Sequence, residues 1–222
     1  AANANNVVLV EAFTHRWNPH MRKARQLVGE GEIGEIQTVD SALCFNVTEP
    51  DGNIRFSKAL AGGALRDAGS YAVYAIRFVM SAEPTHVIGY SHDSGNWGVD
   101  TTFAGTMKFN NGAIGNITTN MKQPFRCFIT IHGSAGRIEI PNMFDDSGPI
   151  VIKKGDGRTS QDDQVIAVQA PNRFLVQLDE FTHCVLTGEK PEFPAEDGLA
   201  NTAVLEALYE SANSGASVSL GT

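Results

Sequence analysis

The chain has 222 residues, 42% hydrophobic and 19% charged, enough to bury a core without disulfide or metal staples and unlike a disordered or fibrous composition. Its formal net charge of −8, with Lys and Arg scattered along the sequence, leaves no basic footprint for nucleic acid. The longest apolar run, 71–80, is broken by Arg77 and too short to span a bilayer, so neither nucleic acid nor a membrane is expected as a partner.

In chain order, Val7 to Phe13 reads as a short strand feeding a helix that opens at Asn18-Pro19, Asn18 as the N-cap, with Met21, Ala24, Leu27 and Val28 on its apolar face. Ile36 to Val47 follows as a long strand and Glu49 to Leu60 as an irregular loop around Pro50-Asp51-Gly52. A second helix spans Gly63 to Ser81, with Leu65, Ala68, Ala72, Ile76 and Val79 at helical spacing.

From Thr85 the period changes to two. Strands are predicted at 86–91, 101–109, 113–120, 125–132, 137–140, 150–153 and 164–168, consecutive ones pairing antiparallel because their connections are too short for a crossover. Phe103, Met107, Phe109, Ala113 and Ile117 are placed on one face and Thr102, Thr106, Lys108, Asn116, Thr118 and Asn120 on the other. Two closing helices, 172–187 with a Phe174, Leu178, Phe181, Val185 stripe and 194–214 with Leu199, Ala203, Leu208 and Ala212, are expected to cover the apolar face. The fold class is therefore α+β: a largely antiparallel open sheet with helices on one face.

His132-Gly133-Ser134-Ala135-Gly136 has the glycines of a phosphate loop, but a strand follows it, so a hairpin turn is expected. The six histidines show no ligand spacing and predict no metal site. Cys44, Cys127 and Cys184, odd in number and far apart, read as buried thiols of a reducing compartment, which with no signal-peptide pattern in Ala1 to Asn6 points to the cytoplasm.

The stretch Gly62 to Tyr71 carries the chemistry most worth following. Asp67 and Tyr71 are four apart and share one helix face, where a carboxylate and a phenol can exchange a proton with a substrate hydroxyl. The same spacing suits an aspartate at the positive end of a helix and a core tyrosine, and burial statistics favour that plainer reading. Arg55, just upstream, is either a ligand for an anion or sugar hydroxyl or a surface charge.

Glu11-Ala12-Phe13 with Arg16 and Pro19, Asn53-Ile54-Arg55, Gly62-Gly63-Ala64-Leu65 with Asp67, Gly69 and Tyr71, Arg77, Glu83-Pro84, Val99-Asp100, Phe109 to Gly112 and Tyr209-Glu210-Ser211 together resemble the C-terminal part of the glucose-fructose oxidoreductase, inositol dehydrogenase and rhizopine-catabolism family. The resemblance implies the substrate-binding and dimerising half of an NAD- or NADP-dependent oxidoreductase acting on a sugar, polyol or related hydroxyl compound. It makes Tyr71 the catalytic acid or base, Asp67 its tuning partner, and Arg55 and Arg16 the border of the substrate pocket. It also implies a homo-oligomer formed through the open sheet face.

On that resemblance residues 1–13 would be the end of a Rossmann domain and 14–222 the substrate-binding domain. The glycine-rich fingerprint and lysine of the family have no counterpart in this sequence, so the chain by itself is expected to bind no cofactor and to be inactive in hydride transfer. A fragment of a longer enzyme is favoured over a free-standing sugar-binding module or an NAD-dependent glycosidase of the same superfamily.

Overall fold

A computed structural model describes residues 1–145, 148–155, 163–168 and 171–221. Helices α1 (Pro19–Gly29) and α2 (Ser70–Met80) flank strand β1 (Ile36–Asn46) in the chain. Strands β2 (His86–His92), β3 (Thr102–Lys108), β4 (Ile114–Asn120), β5 (Lys122–Gly133), β6 (Gly136–Ile140), β7 (Pro149–Lys154) and β8 (Gln164–Ala167) follow. Helices α3 (Arg173–Thr187) and α4 (Ala195–Ser214) and the two-residue strand β9 (Val218–Ser219) close it. Among the described residues the strands form one open sheet, ordered β8-β7-β6-β5-β1-β4-β3-β2-β9, and α2 packs over β1 and β4 while α4 packs over β2.

The local signals act as physics requires. The Asn18 side chain accepts from His20 N at 3.0 Å and Pro19 fills the first helical position, so α1 starts where an unpaired donor costs nothing. Gly112 (φ 88°) closes the β3–β4 hairpin after Asn111. Phe103, Met107, Phe109, Ala113 and Ile117 are all at most 2% exposed, and the Thr and Asn residues between them face the open side. The glycines at 133 and 136 lie in the β5–β6 hairpin, as expected of a turn without a following helix.

Three expectations are corrected. β4 and β5 are consecutive yet do not pair. β1 lies between them, parallel to β4 (Cys44 opposite Asn120) and antiparallel to β5 (Asn46 opposite Lys122). The chain hooks around the end of β1 at Met121, whose carbonyl accepts from Val47 N at 2.8 Å, so β1 takes the hydrogen bonds a hairpin would have used.

Residues 7–13 form no strand: no described strand runs beside them to complete a ladder, and Val7 and Leu9 are 58% and 57% exposed. The apolar stripes of the last helices also turn differently. On α3, Phe174, Leu178 and Val185 face outward, and the helix instead lays Cys184 and Phe181 against the turn at Thr14–Trp17 and Phe193. On α4, Leu199 and Ala203 are exposed, Val204 and Leu205 are buried, Asn201 faces α2 and donates to the Ser70 carbonyl, and Leu208 and Ser211 lie against β2. Small side chains on that inner face allow close approach: Ser211 Oγ accepts from Gly89 N at 3.0 Å in the middle of β2.

Candidate active site

The site is built where the irregular loop meets the start of α2. The Asn53 side chain accepts from Arg55 N at 3.1 Å and sets a single turn at Ile54–Phe56. That turn aims the Arg55 guanidinium at the helix, where its Nε donates to Asp67 Oδ2 at 2.8 Å. Gly62 makes the approach possible: a Cβ there would fall 2.4 Å from the Arg55 carbonyl oxygen. Both partners are partly open to solvent, 38% and 30%, so the pair orients more than it stabilises.

The helix is not α-helical at its start. Leu65–Gly69 is a π turn that passes into α2 at Ser70, so Asp67 lies in the wide turn and Tyr71 in the regular one. Such turns concentrate at functional sites because they re-aim side chains without breaking the helix. Tyr71 is half-buried behind an aromatic wall: Phe13 meets it edge-on at 5.4 Å between ring centroids, Phe144 at 5.3 Å, and His15 at 5.4 Å.

Burial pushes the Tyr71 phenol above its ordinary range, the charges of Asp67 and Glu11 push the same way, and Arg55 opposes them. The phenol is protonated at neutral pH and suited to donating a proton. His15 is fully buried, and that burial, with Arg16 and Arg173 nearby, lowers its pKa to about 3, so it stands beside Tyr71 as a neutral ring.

Of the four residues singled out in the sequence, the structure brings Tyr71, Asp67 and Arg55 into one neighbourhood and places Arg16 elsewhere. Arg16 is 1% exposed and lines a small void with Trp17 and Phe193. Its Nη1 donates to Asp197 Oδ2 at 3.1 Å and Tyr74 Oη at 3.3 Å, its Nη2 to the Glu11 carbonyl, and its guanidinium stacks 4.5 Å over Phe193. A cation with those donors committed inside the core is structural.

Sequence reasoning missed His15 and Phe144 as neighbours of Tyr71. Phe144 lies in the irregular stretch after β6 and reaches the site only through the fold. His15 adjoins Arg16, and nothing in its spacing marks it. Among the described residues no three His, Cys, Asp or Glu side chains converge on a metal position, and no helix is long and apolar enough to cross a membrane.

Comparison with known proteins supports the fold. The GFO/IDH/MocA C-terminal domain family matches residues 21–139. The D-xylose 1-dehydrogenase (NADP(+)) 2 of Haloferax volcanii is 29% identical over 217 residues, covering 96% of this chain and 65% of that protein. The aldose-aldose oxidoreductase of Caulobacter crescentus, solved with glycerol, superposes with a TM-score of 0.89 at 27% identity, over 98% of this chain and 65% of that one. The 3-ketoreductase KijD10 of Actinomadura kijaniata, solved with NADP and TDP-benzene, shares the fold at a TM-score of 0.86 and 23% identity, over 95% of this chain and 64% of that one.

The chain belongs to the GFO/IDH/MocA C-terminal domain family. It spans just under two thirds of the length of these relatives.

Proposed function

We propose that this chain is the substrate-binding half of an NAD- or NADP-dependent oxidoreductase acting on a sugar, polyol or related hydroxyl compound. The observation that carries the reading is the grouping of Tyr71, Asp67 and Arg55 at the π turn, in a chain whose relatives include an NADP-dependent xylose dehydrogenase.

The residues of this chain supply the proton side of the chemistry. Tyr71, a neutral phenol, donates its proton to a substrate oxygen in reduction; in the reverse direction it must first lose that proton, and the phenolate then takes the proton of the substrate hydroxyl. Asp67, held by Arg55, keeps the phenol protonated until the substrate oxygen gathers charge. Arg55, 38% exposed, can offer its remaining donors to a sugar hydroxyl. Among the described residues no glycine-rich turn leads from a strand into a long helix, and the glycines at 133 and 136 are spent on a hairpin. The reading assigns the hydride carrier to a dinucleotide-binding domain meeting this one, which the greater length of the relatives supports.

The uncovered flank of α3 supports such a partner domain. Phe174, Leu175, Leu178, Val185 and Leu186 are 50–80% exposed along this one helix, a row of large apolar side chains that a partner surface would cover. On the far side of the sheet, Thr106, Asn116 and Asp40 are hydrogen-bonded in a row across β3, β4 and β1, and Tyr90 stands 68% exposed on β2, which supports association of two copies through a wet interface.

The test is Tyr71→Phe in the full-length enzyme, measured on aldoses and polyols with NAD and NADP. The expected outcome is a fall in kcat of about 10²- to 10⁴-fold with cofactor affinity unchanged. Unchanged turnover rejects the assignment.

A further inference from the structure

Asp100 and Tyr209 lie on the other side of the helix start from Arg55, and their chemistry is unused by the reading above. Asp100 is 7% exposed and makes three hydrogen bonds, two of them to the helix start. Its carbonyl accepts from Ala64 N at 2.7 Å, its Oδ2 accepts from Leu65 N at 2.8 Å, and its Oδ1 accepts from Tyr209 Oη at 2.6 Å. Two of the helix's first N–H groups are thus satisfied from outside by a single residue.

Gly63, just before them, is held at φ 123°. A Cβ there would fall 2.3 Å from Asp100 Oδ1 and 2.8 Å from Tyr209 Oη, so the backbone is pressed against the pair. Gly63 N donates at 2.9 Å to the carbonyl of Arg55, the residue that holds Asp67. From the sheet side the buried Thr119 hydroxyl donates to the Ala64 carbonyl at 3.1 Å. The first turn is therefore bonded to its surroundings at the point where it widens into the π turn bearing Asp67.

Tyr209 is itself fixed, its ring edge-on to Phe103 at 5.6 Å and covered by Arg66 at 4.6 Å. The pair borders a cavity of about 470 Å³, lined also by Lys58, Arg66, Asp93 and Glu206. Without the Tyr209 hydroxyl the Asp100 carboxylate has room to turn away from Leu65.

We propose that Asp100 and Tyr209 are positioning residues that clamp Gly63 to Leu65 and so fix the π turn in the geometry that pairs Asp67 with Tyr71 and Arg55. The proposal rests on the Tyr71–Asp67 reading for its relevance to catalysis. Its structural content stands on the hydrogen bonds above and is testable without turnover.

The experiment is a double-mutant cycle read by NMR of the purified chain, with tyrosines labelled at Cζ and Tyr71 assigned by its loss in Tyr71→Phe. Asp67→Asn removes a negative charge that opposes phenolate formation and releases Arg55, which favours it, so the Tyr71 midpoint must fall. In the Tyr209→Phe background that fall is expected to shrink by about half or more, because the two side chains no longer hold their relative positions. Asp100→Asn, which keeps an oxygen for Leu65 N, is expected to shrink it less.

An Asp67→Asn shift of equal size in both backgrounds, with only the thermal midpoint lowered by Tyr209→Phe, overturns the proposal and leaves the pair a structural brace. If Tyr209→Phe does not fold, Asp100→Asn carries the same comparison. Turnover of Tyr71→Phe in the full-length enzyme reports separately on the catalytic reading, so failure of one is distinguishable from failure of the other.

Discussion

Arg16 Nη1 and Asp197 Oδ2 lie 3.1 Å apart across 181 residues of chain, joining the turn before α1 to the first turn of α4. Asp197 also takes a hydrogen bond from Tyr74 Oη at 2.8 Å and an ion pair from Arg77 at 3.2 Å, and Arg77 is closed on its other side by Glu83 at 2.6 Å. Both arginine side chains are at most 4% exposed, whereas Asp197 is 23% exposed and sits where the positive end of α4 adds to their attraction.

Removing the shared anion strands the buried Arg16 and leaves Arg77 with Glu83 alone. Asp197→Ala is expected to lower unfolding free energy by about 3–5 kcal/mol in urea titrations at neutral pH. Asp197→Asn keeps an acceptor and is expected to cost less. A loss below about 1 kcal/mol for the alanine variant would mean the arginines find water or other carboxylates instead.

His15 gives the protein an acid-sensitive core. Its folded pKa of about 3 lies below the unfolded value near 6.5, so the unfolded chain binds the extra proton between those two pH values. The stability tied to a neutral His15 is present above pH ~6.5 and is lost as pH falls toward 3, by up to about 1.4 kcal/mol per pH unit. His15→Phe keeps an aromatic ring and removes the proton site. Its thermal midpoint between pH 6.5 and 4 is expected to fall less steeply than that of the parent, and parallel curves would show that His15 is not the group responsible.

Most of this architecture is legible in the sequence because it is local. The alternation of Phe103, Met107 and Ile117 with threonines and asparagines fixes the faces of β3 and β4, and Asn18-Pro19 fixes the start of α1. The four-residue spacing of Asp67 and Tyr71, with the family resemblance, identifies the helix that carries the site. What was not legible depends on distant segments. The insertion of β1 between β4 and β5 follows from a pairing that no short window contains. The resemblance sets Arg16 at the border of the substrate pocket, and only the fold brings Asp197 beside it. The α3 pattern says that one face is apolar, but not what covers that face.

Gly63 tests the backbone at the helix start directly. A φ of 123° is strained for any residue with a side chain, and the space a methyl group needs is held by Asp100 and Tyr209. Gly63→Ala is expected to cost about 2 kcal/mol or more in unfolding free energy. Gly112→Ala, also at positive φ but with nothing within 4 Å of the added carbon, is expected to cost less. Equal losses would assign the whole effect to backbone conformation and none to the contact with Asp100.

The outward face of α3 makes the opposite demand. Leu178 is 57% exposed, so Leu178→Glu removes little packing and is expected to change the unfolding free energy of this chain by no more than about 0.5 kcal/mol. Leu65→Ala, at a site 0% exposed under the sheet, is expected to cost about 2–5 kcal/mol by the same measurement. If the flank of α3 seats a dinucleotide-binding domain, Leu178→Glu is harmless here and damaging in the full-length enzyme, where it puts a charge into an apolar contact. Full-length Leu178→Glu is then expected to melt in two steps and to be cleaved by protease at the junction between the domains. A single transition at the parent temperature, with unaltered protease resistance, would show that the flank faces solvent in the whole protein, and another surface would have to be sought for the partner domain.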